Sequence, residues 1–348
     1  MYSRTRNVWL LFSGSASGRA AHARGLVDLG SGSIEALRLI LSRSEGRDEQ
    51  NQRTNEYTSS WPLHTRYGYH KSLAFATLNW VFPNDDGPFA MMVASYNDES
   101  GDSRAFVVSG LIGMLPDWVE LGRRWGAKLA EHRLPEFHAA KCENRLDMFS
   151  GYERGSRDMF QREFYGLITD ARLWGFCTAV WQSAYAARWA EFEEFRSGVE
   201  GNFAHPYFLA FQHNVEAMCL RLDREGAPRN EPIAFVFDQQ KEYEGRAKQL
   251  YDSMRNSKGG QLTYRHRLGS ISFDSRFRQL QLQAADAWAY ESRKHVSDVL
   301  IDKRHDGQRW QFELFRETAR INISGFAPEC LDRLASAMRE DLNKKAGS

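Results

Sequence analysis

Several signatures that would assign a chemistry at once are missing from this chain. The four cysteines, Cys142, Cys177, Cys219 and Cys330, lie far apart and form no CxxC pair. Such spacing speaks against a disulfide framework and reads as reduced thiols in a cytoplasmic protein. His138 and Cys142 stand four apart, as a helical metal pair would, but no second pair completes a zinc site. No apolar run approaches the ~18 residues of a membrane helix. VWLLF, near the start, is shorter than a signal-peptide core of about 7 residues. Neither a membrane partner nor export is therefore expected. The formal net charge is only +1, so attraction to a polyanion has to be local. The P-loop pattern GxxxxGK[ST], the nucleophile elbow GxSxG and zinc-finger spacings are all lacking.

What is present is material for a core. Of the 348 residues 42% are hydrophobic and 13% aromatic, enough for one large domain with appendages or for two domains. Residues 1–90 stand apart. They are rich in Ser, Gly and Arg, and only SIEALRLILS (a short helix) and LAFATLNWVF (a strand closed by PNDDGP) read as structure. The expectation is a poorly ordered extension, even an over-long gene model, since Met91 and Met92 abut the first convincing strand. Six acidic residues among the first 70 argue against a transit peptide.

From residue 91 to 348 the pattern is firm. MMVASYND and RAFVVSGLIG form two strands of a hairpin joined by ESGDS. Helices are expected over 117–132, in RDMFQREFYGLITDARLWG, HPYFLAFQHNVEAMCLRLDREG, EYEGRAKQLYDSMRN and RQLQLQAADAWAYESRKH, and around Leu331, Leu334 and Met338. Strands are expected at FCTAVWQS, IAFVFD and WQFELFR; LTYRHRLGSISF reads as extended and RLPEFHAAKCEN as a loop or short element. A hairpin followed by alternating helices and strands predicts an α/β mixed sheet, antiparallel at one edge and parallel at its centre, flanked by helices.

Three carboxylates are poorly explained by solubility. Asp98 closes the first strand, Asp238 closes IAFVFD, and Asp286 shares a helix face with Leu282 and Tyr290. Open α/β sheets bind ligands beyond the carboxyl ends of their strands, and a buried carboxylate is normally paired or bound to metal. Taken singly, each has a plain reading as a turn residue, a cap or a half-exposed helix position. Asp102 reads as a turn residue bonded to its own backbone, with Ser100 and Gly101 reversing the chain.

YNDESGD, FHA (137–139), VFD (236–238) and LQAADAWAY (282–290), in that order, resemble the Domain of Unknown Function 3800 family. The resemblance spans about residues 91–300, and DESGD is its specific part. It implies a ribonuclease H-like fold and marks Asp98, Asp238 and Asp286 as an acidic cluster, with Glu99, Glu136 and His138 as supporting candidates. Hard carboxylate oxygens suit Mg²⁺ or Mn²⁺. Two such ions can activate water and stabilise the leaving oxygen of a phosphodiester; Asp98 would bridge them, and Asp238 and Asp286 would each hold one. Residues 255–294 add eight Lys/Arg against three Asp/Glu, interleaved with Tyr264 and Phe277, a stretch able to seat phosphates and stacked bases or simply to form a solvated basic face. The expected activity is that of a metal-dependent nuclease, or a related phosphoryl-transfer enzyme, acting on DNA or RNA. The alternatives are a non-catalytic nucleic-acid or protein-binding module of a mobile-element or defence system, and a hydrolase of small phosphoesters.

Overall fold

Alternation along the strands decides the layering of the protein. In the computed structural model, which describes residues 9–10, 93–190, 205–227, 231–257, 262–304, 309–318 and 320–346, the strands are β1 (Trp9–Leu10), β2 (Val93–Gly101), β3 (Ala105–Met114), β4 (Trp174–Trp181), β5 (Ile233–Asp238), β6 (Leu268–Asp274) and β7 (Arg320–Phe326). They form one sheet in the order β1-β7-β4-β3-β2-β5-β6. The β2–β3 and β3–β4 pairs are antiparallel, and every other pair is parallel. Successive side chains point to opposite faces. Ala94, Tyr96, Val107, Leu111, Ala179, Ala234 and Val236 therefore pack in one core. Their strand neighbours Val93, Phe106, Val108, Phe176, Ile233, Phe235 and Phe237 pack in the other.

The helices divide between these faces. α1 (Leu115–His132), α2 (Ala139–Asn144), α3 (Arg154–Asp170), α7 (Leu280–His295) and α8 (Trp310–Thr318) line the first core, while α4 (Gln182–Ala187), α5 (Pro206–Arg224), α6 (Glu244–Arg255) and α9 (Pro328–Ala346) line the second. α1 buries Trp118, Leu121, Trp125 and Leu129, the stripe that its spacing predicts. α7 is buried on nearly every side and lies close to the sheet. A Cβ on Gly175 of β4 would stand 2.9 Å from the Trp288 ring, and the Trp288 indole donates to the Phe176 carbonyl at 2.8 Å.

The mixed α/β sheet agrees with expectation, as do most of its elements, but its layout is the reverse of the expected one: the antiparallel pairs β4–β3 and β3–β2 lie at the centre and the parallel pairs run out to both edges, because β4 and then β7 add beyond the hairpin on the β3 side. One assignment is corrected. WQFELFR is not a strand but the helix α8, and the strand lies just after it in RINISGF. Aromatic alternation in WQFELFR imitates a period of two. The residues that bury are nonetheless Phe312 and Phe315, three apart, with Phe312 stacking on Trp288 and Phe315 meeting Trp288 and Tyr165. The short helix SIEALRLILS and the strand LAFATLNWVF lie outside the described residues. Of the N-terminal 90 residues only Trp9 and Leu10 are described, and they pair in parallel with Asn322 and Ile323 of β7. No described helix is long and apolar enough to cross a membrane.

The second core contains a carboxyl whose cost can be measured. Glu216 of α5 is buried, and burial pushes its pKa up to about 7. A carboxyl raised above its unfolded value favours folding fully only below the usual carboxylate range, and that contribution is lost as pH rises through about 7. Glu216→Gln removes this dependence. The stability of the variant relative to the wild type should rise by about 3 kcal/mol between pH 4.5 and pH 8. Calorimetric melts at both pH values check it, and an offset equal at both would contradict it.

Candidate active site

The strand β2 has different neighbours along its length. Its parallel pairing with β5 ends at Asn97↔Phe237, while its antiparallel pairing with β3 runs on to Gly101↔Phe106. Asp98, Glu99, Ser100 and Gly101 thus belong to the strand, contrary to the expectation that Asp98 closes it, and the turn is confined to residues 102–104. From Asp98 onward β2 has no ladder partner on that side among the described residues, because β5 ends at Asp238. Asp98 extends the Ala94–Tyr96 row, and Asp238 extends the Ala234–Val236 row, so both face α7. Asp286 comes down from that helix.

All three converge on Arg276, in the link between β6 and α7. Its guanidinium is bonded to Asp238 Oδ2, lies 3.3 Å from Asp286 Oδ1 and lies 3.7 Å from Asp98 Oδ2. Burial, then the charges of Glu99, Asp286 and Asp238, raise the Asp98 carboxyl well above the carboxylate range, against the pull of Arg276. Burial also opposes charge on Asp286. There it is outweighed by His138 (Nδ1 at 3.1 Å), by Arg276 and by the Ala139 backbone N–H (2.8 Å), so this carboxyl sits below its usual range. Burial and the charge of Asp238 push Glu99 up to about 8. Arg276 is driven to an even more firmly charged state by its three partners.

A buried glutamine sets this geometry. Gln283, one turn before Asp286, accepts from the Trp125 indole and the Phe137 N–H (2.9 Å each) and donates to the Arg276 carbonyl at 3.0 Å. It fixes both the segment bearing His138 and the link bearing Arg276. Arg133 and Arg145, in left-handed conformations at φ 54° and 53°, close α1 and α2 on either side of that segment.

The structure therefore brings together Asp98, Asp238, Asp286, Glu99 and His138. It does not bring Glu136, whose carboxylate is buried against Lys141 at 3.0 Å. His138 and Cys142 form no metal pair: His138 precedes α2 and faces Asp286, while Cys142 is buried against the Arg157 carbonyl. Asp102 holds its own turn, accepting from the Arg104 and Ala105 N–H groups at 2.8 and 2.9 Å, and it also receives Arg293 at 2.7 Å.

Two residues went unread in the sequence. Asp274 ends β6 and is the register partner of Asp238; SISFD carries the same terminal aspartate as IAFVFD. Its Oδ1 accepts from the Ser275 N–H and pairs with Arg278, while its buried Oδ2 has no hydrogen-bond partner among the described residues. Arg276, two positions on, had been counted as surface charge. The basic stretch is only partly a surface: Arg255, Arg265 and Arg278 are exposed, but others turn inward. Arg267 and Tyr264 are buried, Arg293 is buried against Asp102, and Arg276 is in the cluster. Phe277 remains at the surface, 65% exposed.

The donors suit a hard dication. They are carboxylate oxygens only, already gathered on a cation, with an orphaned oxygen of Asp274 beside them. They are spread around the guanidinium and not closed on a point. Among the described residues, the group with three ligating atoms within 4.8 Å of one another is instead Glu131, His132 and Glu163. That group is partly at the surface and already balanced by Lys128, 2.7 Å from Glu131 and 3.8 Å from Glu163. Comparison of the chain with family models, curated proteins and solved structures gives no match.

Proposed function

We propose that this protein is a metal-dependent nuclease of ribonuclease H-like fold, with Asp98, Asp238 and Asp286 holding Mg²⁺ or Mn²⁺. The observation that carries the proposal is the convergence of three buried aspartates, from two strands and one helix, on a single cationic group. The sheet supports it. Strands β4-β3-β2-β5-β6 place an antiparallel meander beside two parallel strands, with carboxylates where the parallel pairing ends. The order of the YNDESGD, VFD and LQAAD segments agrees with the Domain of Unknown Function 3800 family. Four free thiols favour a reducing, cytoplasmic setting.

Bound dications would supply a nucleophilic water and stabilise the leaving oxygen. The chain's own groups do the remainder. His138 and the Ala139 N–H orient Asp286. The Glu99 carboxyl, pushed up to about 8 by burial and by Asp238, can hold and release a proton near neutral pH next to Asp98. Labelled single- and double-stranded DNA and RNA, incubated with Mn²⁺ and with chelator, test the proposal. Cleavage that chelator abolishes supports it. Turnover of a small phosphodiester alone would point to a small-molecule hydrolase.

A second reading has its own observation. Arg276 supplies internally the positive charge that the aspartates need, as a binding module that has dispensed with metal would. Polymer binding without cleavage under any divalent cation would favour it.

A further inference from the structure

We infer that Arg276 is a built-in counter-ion that a divalent cation must displace, so that its side chain swings out of the carboxylate cluster when metal binds. This inference rests on the nuclease reading. The guanidinium lies among the oxygens that a dication would need: it is bonded to Asp238, 3.3 Å from Asp286 and 3.7 Å from Asp98. Cation and guanidinium cannot share those oxygens, because inner-shell ligation requires oxygens about 2–2.6 Å from the ion.

The link is built for motion of the side chain alone. Its backbone is pinned, with the Arg278 and Gln279 N–H groups donating to the Ser275 carbonyl at 3.0 Å and Gln283 holding the Arg276 carbonyl at 3.0 Å. Its neighbours lie at the surface, Phe277 at 65% and the Arg278 side chain at 58% exposure. The Arg276 side chain is itself 18% exposed, so it already touches solvent. An arginine keeps its charge at any physiological pH, so only a cation of higher charge, such as a dication, outcompetes it for these carboxylates. Metal affinity is then scaled down to the fraction of protein in which Arg276 has already left the cluster.

Two measurements test this. Isothermal titration with Mn²⁺ should show Arg276→Gln binding at least about tenfold tighter than the wild type, with Arg276→Lys in between. In the wild type, phenylglyoxal labelling followed by peptide mass spectrometry should find Arg276 protected without Mn²⁺ and modified at saturating Mn²⁺, a readout independent of whether the variants fold. Equal or weaker binding by a folded Arg276→Gln, or continued protection in the metal-saturated wild type, overturns the inference and leaves the nuclease reading intact. If neither protein binds Mn²⁺, or if Asp286→Asn leaves wild-type binding unchanged, the metal site itself is wrong and the inference falls with it.

Discussion

Asp98→Asn should remove the metal-dependent cleavage proposed above while the protein stays folded: this is the largest effect we expect on activity, a loss on the order of 10²–10³-fold, the scale seen when one electrostatic stabiliser of a transition state is removed. Asparagine keeps the shape of the side chain and can still accept the 2.8 Å bond from the Glu99 N–H, but it lacks the charge that a hard dication requires. Stability moves the other way. Burial, followed by the charge of Glu99, raises the Asp98 carboxyl well above its ordinary range. Its contribution to folding is therefore complete below the usual carboxylate pKa and lost as pH rises. Without metal the variant should melt higher than the wild type at pH 8, with the gap closing towards pH 4. Mn²⁺ should raise the wild-type melting temperature and leave that of the variant unmoved. Unchanged cleavage in the folded variant would remove Asp98 from the active site, and unfolding would give it a structural role.

The largest effect on stability is expected at Arg309, outside the site. Glu291 of α7 is fully buried and receives Arg309 at 2.9 and 3.2 Å and the Tyr165 hydroxyl at 3.1 Å; Arg309 also reaches Glu143 at 3.1 Å. Burial already raises the Glu291 carboxyl, with Arg309 opposing that rise. Arg309→Ala leaves a buried carboxylate without its cation, which costs about 3–5 kcal/mol and roughly 10 °C in melting temperature for a domain of this size. The sign with pH follows. The orphaned Glu291 would be raised further, so the loss is full well above that raised value, shrinks as pH falls through it, and is gone below the ordinary glutamate value of 4.5, where the group is protonated in both states. Urea unfolding on either side of that window measures it. Arg309→Ala combined with Glu291→Gln should recover a good part of the loss at pH 8; simple additivity would show that the pair is not coupled.

The aspartates were legible because each broke a local rule. A charge at the end of an apolar run, or on the sheet-facing side of a helix among alanines, is out of place unless something pairs with it. Asp274 broke the same rule in SISFD and was missed because LTYRHRLGSISF carries three charged or histidine positions that blur its strand character. Those residues turn out to form a short 3-10 turn, Arg265–Arg267, with Arg267 buried against Asp223. Arg276 was illegible for a deeper reason. One arginine in a basic stretch carries no local sign of burial, and its partners lie 178, 38 and 10 residues away. WQFELFR shows the converse failure, a pattern of period two overridden by what α7 and α3 offer as packing partners.

α7 also acts as a ruler. Gln283 measures out to the 137 and 276 segments, Asp286 to Arg276, Trp288 to β4, Glu291 to Arg309 and Arg293 to the hairpin turn. Each successive residue is turned by about 100°. Inserting or deleting one residue after Gln283 would thus swing every later contact to the wrong bearing at once. Homologous chains can differ in loop length and in surface residues, but the count of residues from Gln283 to Arg293 has no freedom to drift. The spacing, more than any single side chain, is what a lineage preserving this arrangement would have to inherit unchanged.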